Sequence, residues 1–347
     1  MRLRKRKSIY ISVLIAVLIV LIIISSAIGS AKIGIKDTAA IILNNIPGIG
    51  RLIDISEIQD RSVIIINFVR LPRIILSVFV GMALASAGVI FQGLFRNPMA
   101  DPFVIGVSAG SAFGATIGLL FSSSIFYLNI SATTIFAFLG AISTTFLIYT
   151  ISRKKNKVSI LTMLLAGIAL SSMLSSLTSL LMIFKTNDIA KVFFWLLGGL
   201  TGAEWSQIFI IAPVVVILTV IMGFYLRDLN ILSLGEERAS QLGVQVEHVK
   251  RVLLILASLI TAIAVSMSGI IGFVGLITPH IMRMIVGPDH KVLYPTSIIA
   301  GGIFLLISDT LARTVFSPRE IPVGIITSLV GVPFFLYLLI KSKKAIF

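Results

Sequence analysis

The chain has 347 residues, is 57% hydrophobic and only 12% charged, and has a mean hydropathy of +1.08; an average soluble domain is roughly 25% charged. This composition excludes a soluble globular protein and predicts one polytopic membrane domain over 1-347. The formal net charge of +15 comes from Lys and Arg in short clusters between apolar runs, a pattern that argues against nucleic-acid binding, and the absence of cysteine excludes disulfides and thiolate chemistry.

Allowing about 20 apolar residues per span and breaking runs at polar, Pro or Gly positions, the sequence predicts ten spans in an all-α membrane protein. The basic stretch "MRLRKRK" precedes the first, at 8–30. "SSAIGSA" would suit a cleaved signal peptide, but the run exceeds the roughly 7–15 residues of a signal core, so a retained span is expected. An outer segment, Ala31 to Val69, leads to span two at 70–93. There Arg70 and Arg73 flank Pro72, a spacing that suits a first helical turn and predicts two guanidinium groups projecting from the outer rim. Snorkelling to lipid phosphate accounts for them on pattern alone.

The polar turn "RNPMADP" then opens span three, 103–121, where Gly106, Gly110, Gly114 and Gly118 recur every four residues. On a helix such positions share one face, and in lipid a face without side chains is a surface for close packing. Spans four and five follow at 132–152 and 158–183. Within the outer segment Lys185 to Trp205, "DIAKVFFWLLGGL" is too short to span and is expected to lie at the interface with Trp195 and Trp205. Span six covers 206–226.

The longest inner loop, Arg227 to Lys250, contains "LSLGEERASQLG". Leu232, Ala239 and Leu242 fall toward one face, Glu236, Glu237 and Arg238 are polar, and Gly235 and Gly243 break the pattern. A solvated linker and a helical knob for a cytoplasmic partner both fit. Spans seven (251–269) and eight (271–286) are separated only by glycines, with Pro279 inside the second; spans nine and ten lie at 293–311 and 321–340. Spans two to five and seven to ten each open on a Gly-rich helix followed by a Pro-bounded break ("RNP", "TPH"), so an inverted repeat is open. With ten spans, 19 of the 29 Lys and Arg fall inside and 10 outside, which places both termini in the cytoplasm.

No acid falls mid-membrane: Asp309 and Glu204 lie near outer ends and Asp101 near an inner end. That argues against the alternative of an ion-coupled secondary carrier, which needs a titratable group at depth. His280, after Pro279, is the one polar candidate there and is expected to cap or hydrogen-bond a broken helix. His248, His280 and His290 show no ligand spacing. No GxxxxGK[ST] phosphate loop occurs, so uphill transport would draw its energy from a separate subunit.

Six segments carry a family resemblance: "RLPR" at 70 to 73, "FRNPMADPFVIGVSAG", "LLAG" at 164 to 167, "LGEERASQLG", "GFVGLITPHIMR" and "REIPVGIITSLVGVPFFLYLL". In this order, from about residue 60 to 340, they resemble the FecCD-type permeases, the membrane subunits of ATP-binding-cassette importers for iron-siderophores, haem and vitamin B12. The resemblance implies a homodimer in the cytoplasmic membrane and two ATPase subunits that hold the ATP and Mg. It also implies an extracytoplasmic substrate-binding protein, contact with membrane lipid, and no catalytic residue, metal or cofactor in this chain. It assigns Leu234, Gly235, Glu236, Ala239, Leu242 and Gly243 to a coupling helix seated on the ATPase. Arg70, Arg73 and Arg313 would engage acids of the binding protein, and Ser159, Ile160, Leu161 and Thr162 would lie near the inner gate of a path lined mainly by spans five and ten. A non-transporting scaffold or receptor would need neither the partner loop nor the outer arginines.

Overall fold

The computed structural model describes residues 2–29, 31, 33–48, 50–121, 126–127, 130–154, 157–184 and 189–343; residues 185–188, where the second outer segment was expected to begin, lie outside the described residues. The elements run α1 (Arg2–Ala27), α2 (Ile35–Asn44), α3 (Asp60–Ile64), a π-helical stretch (Ile65–Arg70) and α4 (Leu71–Leu94). A 3-10 turn (Pro102–Ile105) leads into α5 (Val107–Phe121), and a two-residue antiparallel ladder of β1 (Phe126–Tyr127) with β2 (Ile130–Ser131) into α6 (Ala132–Ser152). A second such ladder, β3 (Arg153–Lys154) with β4 (Lys157–Val158), leads to α7 (Ile160–Phe184) and α8 (Ile189–Leu196). Then come α9 (Trp205–Gly223), α10 (Leu226–Leu232), α11 (Glu236–Gln241), α12 (Val246–Ser268), α13 (Val274–Val286), α14 (His290–Thr314) and α15 (Val323–Lys343).

Among the described residues, eight helices are long and apolar enough to cross a membrane, and two shorter apolar helices, Val107–Leu120 and Val274–Val286, stand where spans three and eight are expected. At 1.5 Å per residue the 15-residue α5 reaches only about 22 Å. The 3-10 turn before it supplies part of the rest. The second membrane helix departs from expectation by starting at Asp60 rather than at 70. Pro72 has no N–H to give, and the chain absorbs that loss in the π-helical stretch instead of starting a new helix there.

Helix α4 is the centre of the bundle: Val80, Ala83, Ala87, Ile90 and Phe91 are fully buried. Its glycines admit neighbouring backbones, because a Cβ on Gly81 would overlap the Gly301 carbonyl of α14 and one on Gly88 the Gly275 carbonyl of α13. Close approach of this kind lets dispersion hold helices together where lipid supplies no hydrophobic drive. Pro279 cannot donate to the Gly275 carbonyl one turn earlier. Gln92 of α4 replaces that donor in part, its Nε2 lying 3.1 Å from the Leu276 oxygen and 3.5 Å from that of Gly275.

The gap between α12 and α13 holds two left-handed residues, Gly269 and Phe273, both at φ 69°. Its backbone is paired with another non-helical segment, since the Gly199 N–H donates to the Ser268 oxygen at 2.8 Å. Such irregular backbone survives between spans when protein surrounds it. The order of long helix, break, left-handed residue and short helix occurs twice, with Gly106 (φ 77°) before α5 and Phe273 before α13.

Candidate functional site

Where α4 begins and α14 ends, four charged side chains from three segments meet. Asp309 of α14 is fully buried and receives the Arg73 Nε at 3.0 and 3.2 Å and its Nη2 at 2.9 Å. Arg313, one turn on from Asp309, pairs with it at 3.2 Å, and the Arg73 Nη1 reaches Glu320 at 2.7 Å. Arg70 turns the other way and donates to the Ser26 and Ala27 oxygens at 2.6 and 3.0 Å and to that of Ala31. The Ser26 and Ala27 carbonyls lie in the last turn of α1, where a guanidinium satisfies carbonyl oxygens and complements the helix dipole.

This corrects the expectation that Arg70 and Arg73 project from the rim: both are buried, as is Arg313, with Arg70 turned onto the end of α1 and Arg73 onto Asp309 of α14. They still line, with the exposed Arg61, a cavity of about 270 Å³ that Glu320 borders. Glu320 lies beyond the membrane helices, and partial burial pushes its carboxyl up. The hydrogen bond and charge of Arg73, with Thr201, outweigh that and hold it below the usual glutamate range.

At the other end of the bundle, near the starts of α12 and α14, α11 occupies only Glu236–Gln241, between Gly235 (φ 116°) and Gly243 (φ 84°). Ala239 is fully buried, while Leu234 and Leu242 are 56% and 62% exposed. Leu242 therefore does not share the buried face of Leu232 and Ala239, as the spacing suggested. The short helix ends before it, and the chain reverses at Gly243. The segment thus presents two unpaired leucines around a knob anchored by Ala239.

Ser159 starts α7, its Oγ accepting from the Thr162 N–H at 3.3 Å and from the Thr162 hydroxyl at 3.0 Å. Ser159, Leu161 and Thr162 are exposed and Ile160 is half-buried. In α5, Gly110, Gly114 and Gly118 lie so close to α6 that a Cβ on each would overlap Thr144 and the Gly140 carbonyl, the Phe136 carbonyl, and Thr133. Gly106 also packs on α6, where a Cβ would overlap Ile148 and crowd Thr144, but it does so from outside α5: it ends the 3-10 turn in a left-handed conformation, before the helix begins.

The profile of the FecCD transport family matches residues 17–341. The chain belongs to the FecCD transport family. The cobalamin import system permease protein BtuC of Halobacterium salinarum is 44% identical, over 81% of this chain and 75% of its own length. The hemin transport system permease protein HmuU of Yersinia pestis is 40% identical, over 80% of this chain and 83% of its own. A solved inward-facing structure assigned to the metal-chelate type of ABC transporter superposes with a TM-score of 0.82 at 33% identity, covering 95% of this chain and 98% of that one.

The FecCD chain is therefore the multi-pass permease subunit of an ABC importer and not an enzyme; ATP hydrolysis belongs to separate subunits. Among the described residues of this FecCD permease, no group of three His, Asp or Glu could hold a metal ion. His280 does not cap the break, contrary to the expectation: its ring meets Phe334 of α15 edge-on at 6.4 Å, and its Nδ1 has no hydrogen-bond partner among the described residues. A second cavity, about 1000 Å³, opens between α5, α6, α8 and the α12–α13 break, lined by the hydroxyls of Ser131, Thr133, Thr134 and Thr201, with Lys191 and Glu320 its charged residues.

The sequence reading missed Asp309 and Glu320 as partners of the arginines, and Lys250 and Glu247 at the inner end. Asp309 and Arg313 are four residues apart on one helix, a spacing that marks a pair. The contacts across more than 200 residues carry no local signal.

Proposed function

We propose that this permease moves a metal chelate, with cobalamin the first candidate, inward across the cytoplasmic membrane as one half of a homodimer. In this reading two ATPase subunits seat on α11 from the cytoplasm and a substrate-binding protein docks on the outer rim. The observation that carries it is the 44% identity to a cobalamin permease over 81% of the chain. The exposed Leu234 and Leu242 around a buried Ala239 support the ATPase contact, since a small apolar knob of fixed shape suits a groove on a partner.

The cavity bordered by Arg61, Arg70, Arg73, Arg313 and Glu320 supports the outer one. A carboxylate of the binding protein would enter it and take over Nη1 of Arg73 from Glu320; bidentate arginine geometry favours such an exchange. The path would follow α7 and α15, with Ser159 to Thr162 at its inner gate. Both termini would be cytoplasmic, in keeping with the inward bias of basic residues. Titration of the cognate binding protein with cyanocobalamin, haemin and a ferric siderophore tests the substrate class. Tight binding of one chelate is expected; binding of none of the three, with an oxyanion bound instead, overturns the assignment.

A further inference from the structure

Beneath α11 the structure holds a buried cation that the transport reading does not use. Lys250, in the second turn of α12, has a side chain only 7% exposed, and its Nζ lies 2.6 Å from Oε1 of Glu236, the first residue of α11. The same Nζ is 3.5 Å from Oε1 of Glu247, one turn earlier on α12. The other oxygen of Glu247 accepts the backbone N–H of Val158 at 3.2 Å. Val158 is buried at the end of the β3–β4 hairpin, and the next residue, Ser159, caps α7. One ammonium, with Glu247, thus joins the proposed ATPase seat, the base of α12 and the start of the helix at the proposed inner gate.

A second tether holds the other side of the same module. Asn230 of α10 donates to the Asp289 carboxylate at 2.7 Å and accepts from the His290 N–H at 2.9 Å. This fixes α10, which feeds into α11, to the start of α14. Helix α11 has six residues, too few to be stable without such ties. Force on it therefore passes to the elements that hold it. Of these, the Lys250 contact continues through Glu247 by a hydrogen bond to the hairpin before α7.

We propose that Lys250 is a positioning residue for energy coupling: with Glu247 it links displacement of α11 to the hairpin and N-terminus of α7, so that partner movement opens or closes the inner mouth. The inference rests on the reading of α11 as the ATPase seat. A two-state element that both ends bias is what coupling requires physically. A salt-bridged pair with a shared hydrogen bond meets that need better than apolar contact, because it ties named atoms of three segments to one point rather than spreading the contact over a surface.

The test uses the complete importer in proteoliposomes and measures chelate transported per ATP hydrolysed. Lys250→Met should leave ATPase association intact and hydrolysis running while the ratio falls at least about tenfold, the scale of a typical coupling energy. Lys250→Arg should restore most of it, which a purely space-filling role would not do. Glu247→Ala, at a side chain 29% exposed, gives the same test if Lys250→Met fails to fold, and the double variant should be no worse than either single one. An unchanged ratio in both single variants, losses that multiply, or a Lys250→Met defect that Arg does not relieve overturns the proposal. The chain has no cysteine, so a Leu242→Cys cross-link to the ATPase reports the seat separately. Its absence in the otherwise wild-type importer overturns the docking reading and the relay with it, whereas its presence with an unchanged ratio overturns the relay alone.

Discussion

Removing the carboxylate of Asp309 should destabilise the outer end of the bundle more than any other single charge deletion there. Asp309 is fully buried and faces two guanidiniums, Arg73 at 2.9 Å and Arg313 at 3.2 Å. In Asp309→Ala both cations stay buried and repel each other across the vacated space. Breaking a buried pair by removing one partner costs about 3–5 kcal/mol. The lower end applies, because Arg73 keeps Glu320 at 2.7 Å and Arg313 keeps the Ser25 carbonyl at 3.1 Å. A loss of about 3 kcal/mol in a chain of this size lowers the melting temperature by roughly 5 °C. The assay is thermal unfolding of the detergent-purified permease, with Asp309→Asn as the companion that keeps shape and one acceptor. A melting temperature for Asp309→Ala within about 1 °C of wild type would mean that the arginines are held by something other than this acid.

Three further outcomes follow from the same geometry. Gly114→Leu should drive α5 and α6 apart against the Phe136 carbonyl and lower the yield of monodisperse protein, as overpacking of about 1–3 kcal/mol or more does; Gly223→Ala, which meets nothing within 4 Å, should not, and equal behaviour of the two contradicts the packing account. Gly243→Arg should abolish co-purification with the ATPase, whereas Gly243→Asn, which tolerates the left-handed backbone, should largely retain it; retention by both removes α11 from the docking role. Because the Glu320 carboxyl is depressed in the folded chain, its stabilisation is present above the unfolded-state value and lost as pH falls through the folded one. Thermal unfolding of Glu320→Gln should accordingly differ from wild type at neutral pH and converge below the ordinary glutamate range, and a gap that widens in acid contradicts this.

The ten apolar segments and their order were legible because hydropathy over a span-length window reports directly on what lipid permits. The packing of Gly110, Gly114 and Gly118 was equally local, since the interval of four is itself the geometry. The start of the second membrane helix was not, because Pro72 looks like an N-terminal signal until the π-helical stretch before it is seen to absorb the missing bond. Gly106 faces α6 as the interval suggested, but spacing gave no sign that the chain also uses it as a left-handed joint. At the site, charge sign and position suggested arginines projecting from the rim. What sequence spacing cannot report is a partner 236 residues away, as Asp309 is from Arg73, or the end of α1 that takes the Arg70 guanidinium. A short helix stands at 236–241, within the segment whose spacing suggested one, but six residues are too few for periodicity to fix the facing of Leu242 beyond its end.

The most direct test of the account is uptake of a labelled chelate into proteoliposomes that contain this permease, its ATPase subunits and the binding protein. Uptake should require enclosed ATP and all three components, and should be indifferent to an imposed proton or sodium gradient. Uptake by the permease alone, driven by such a gradient, would contradict it.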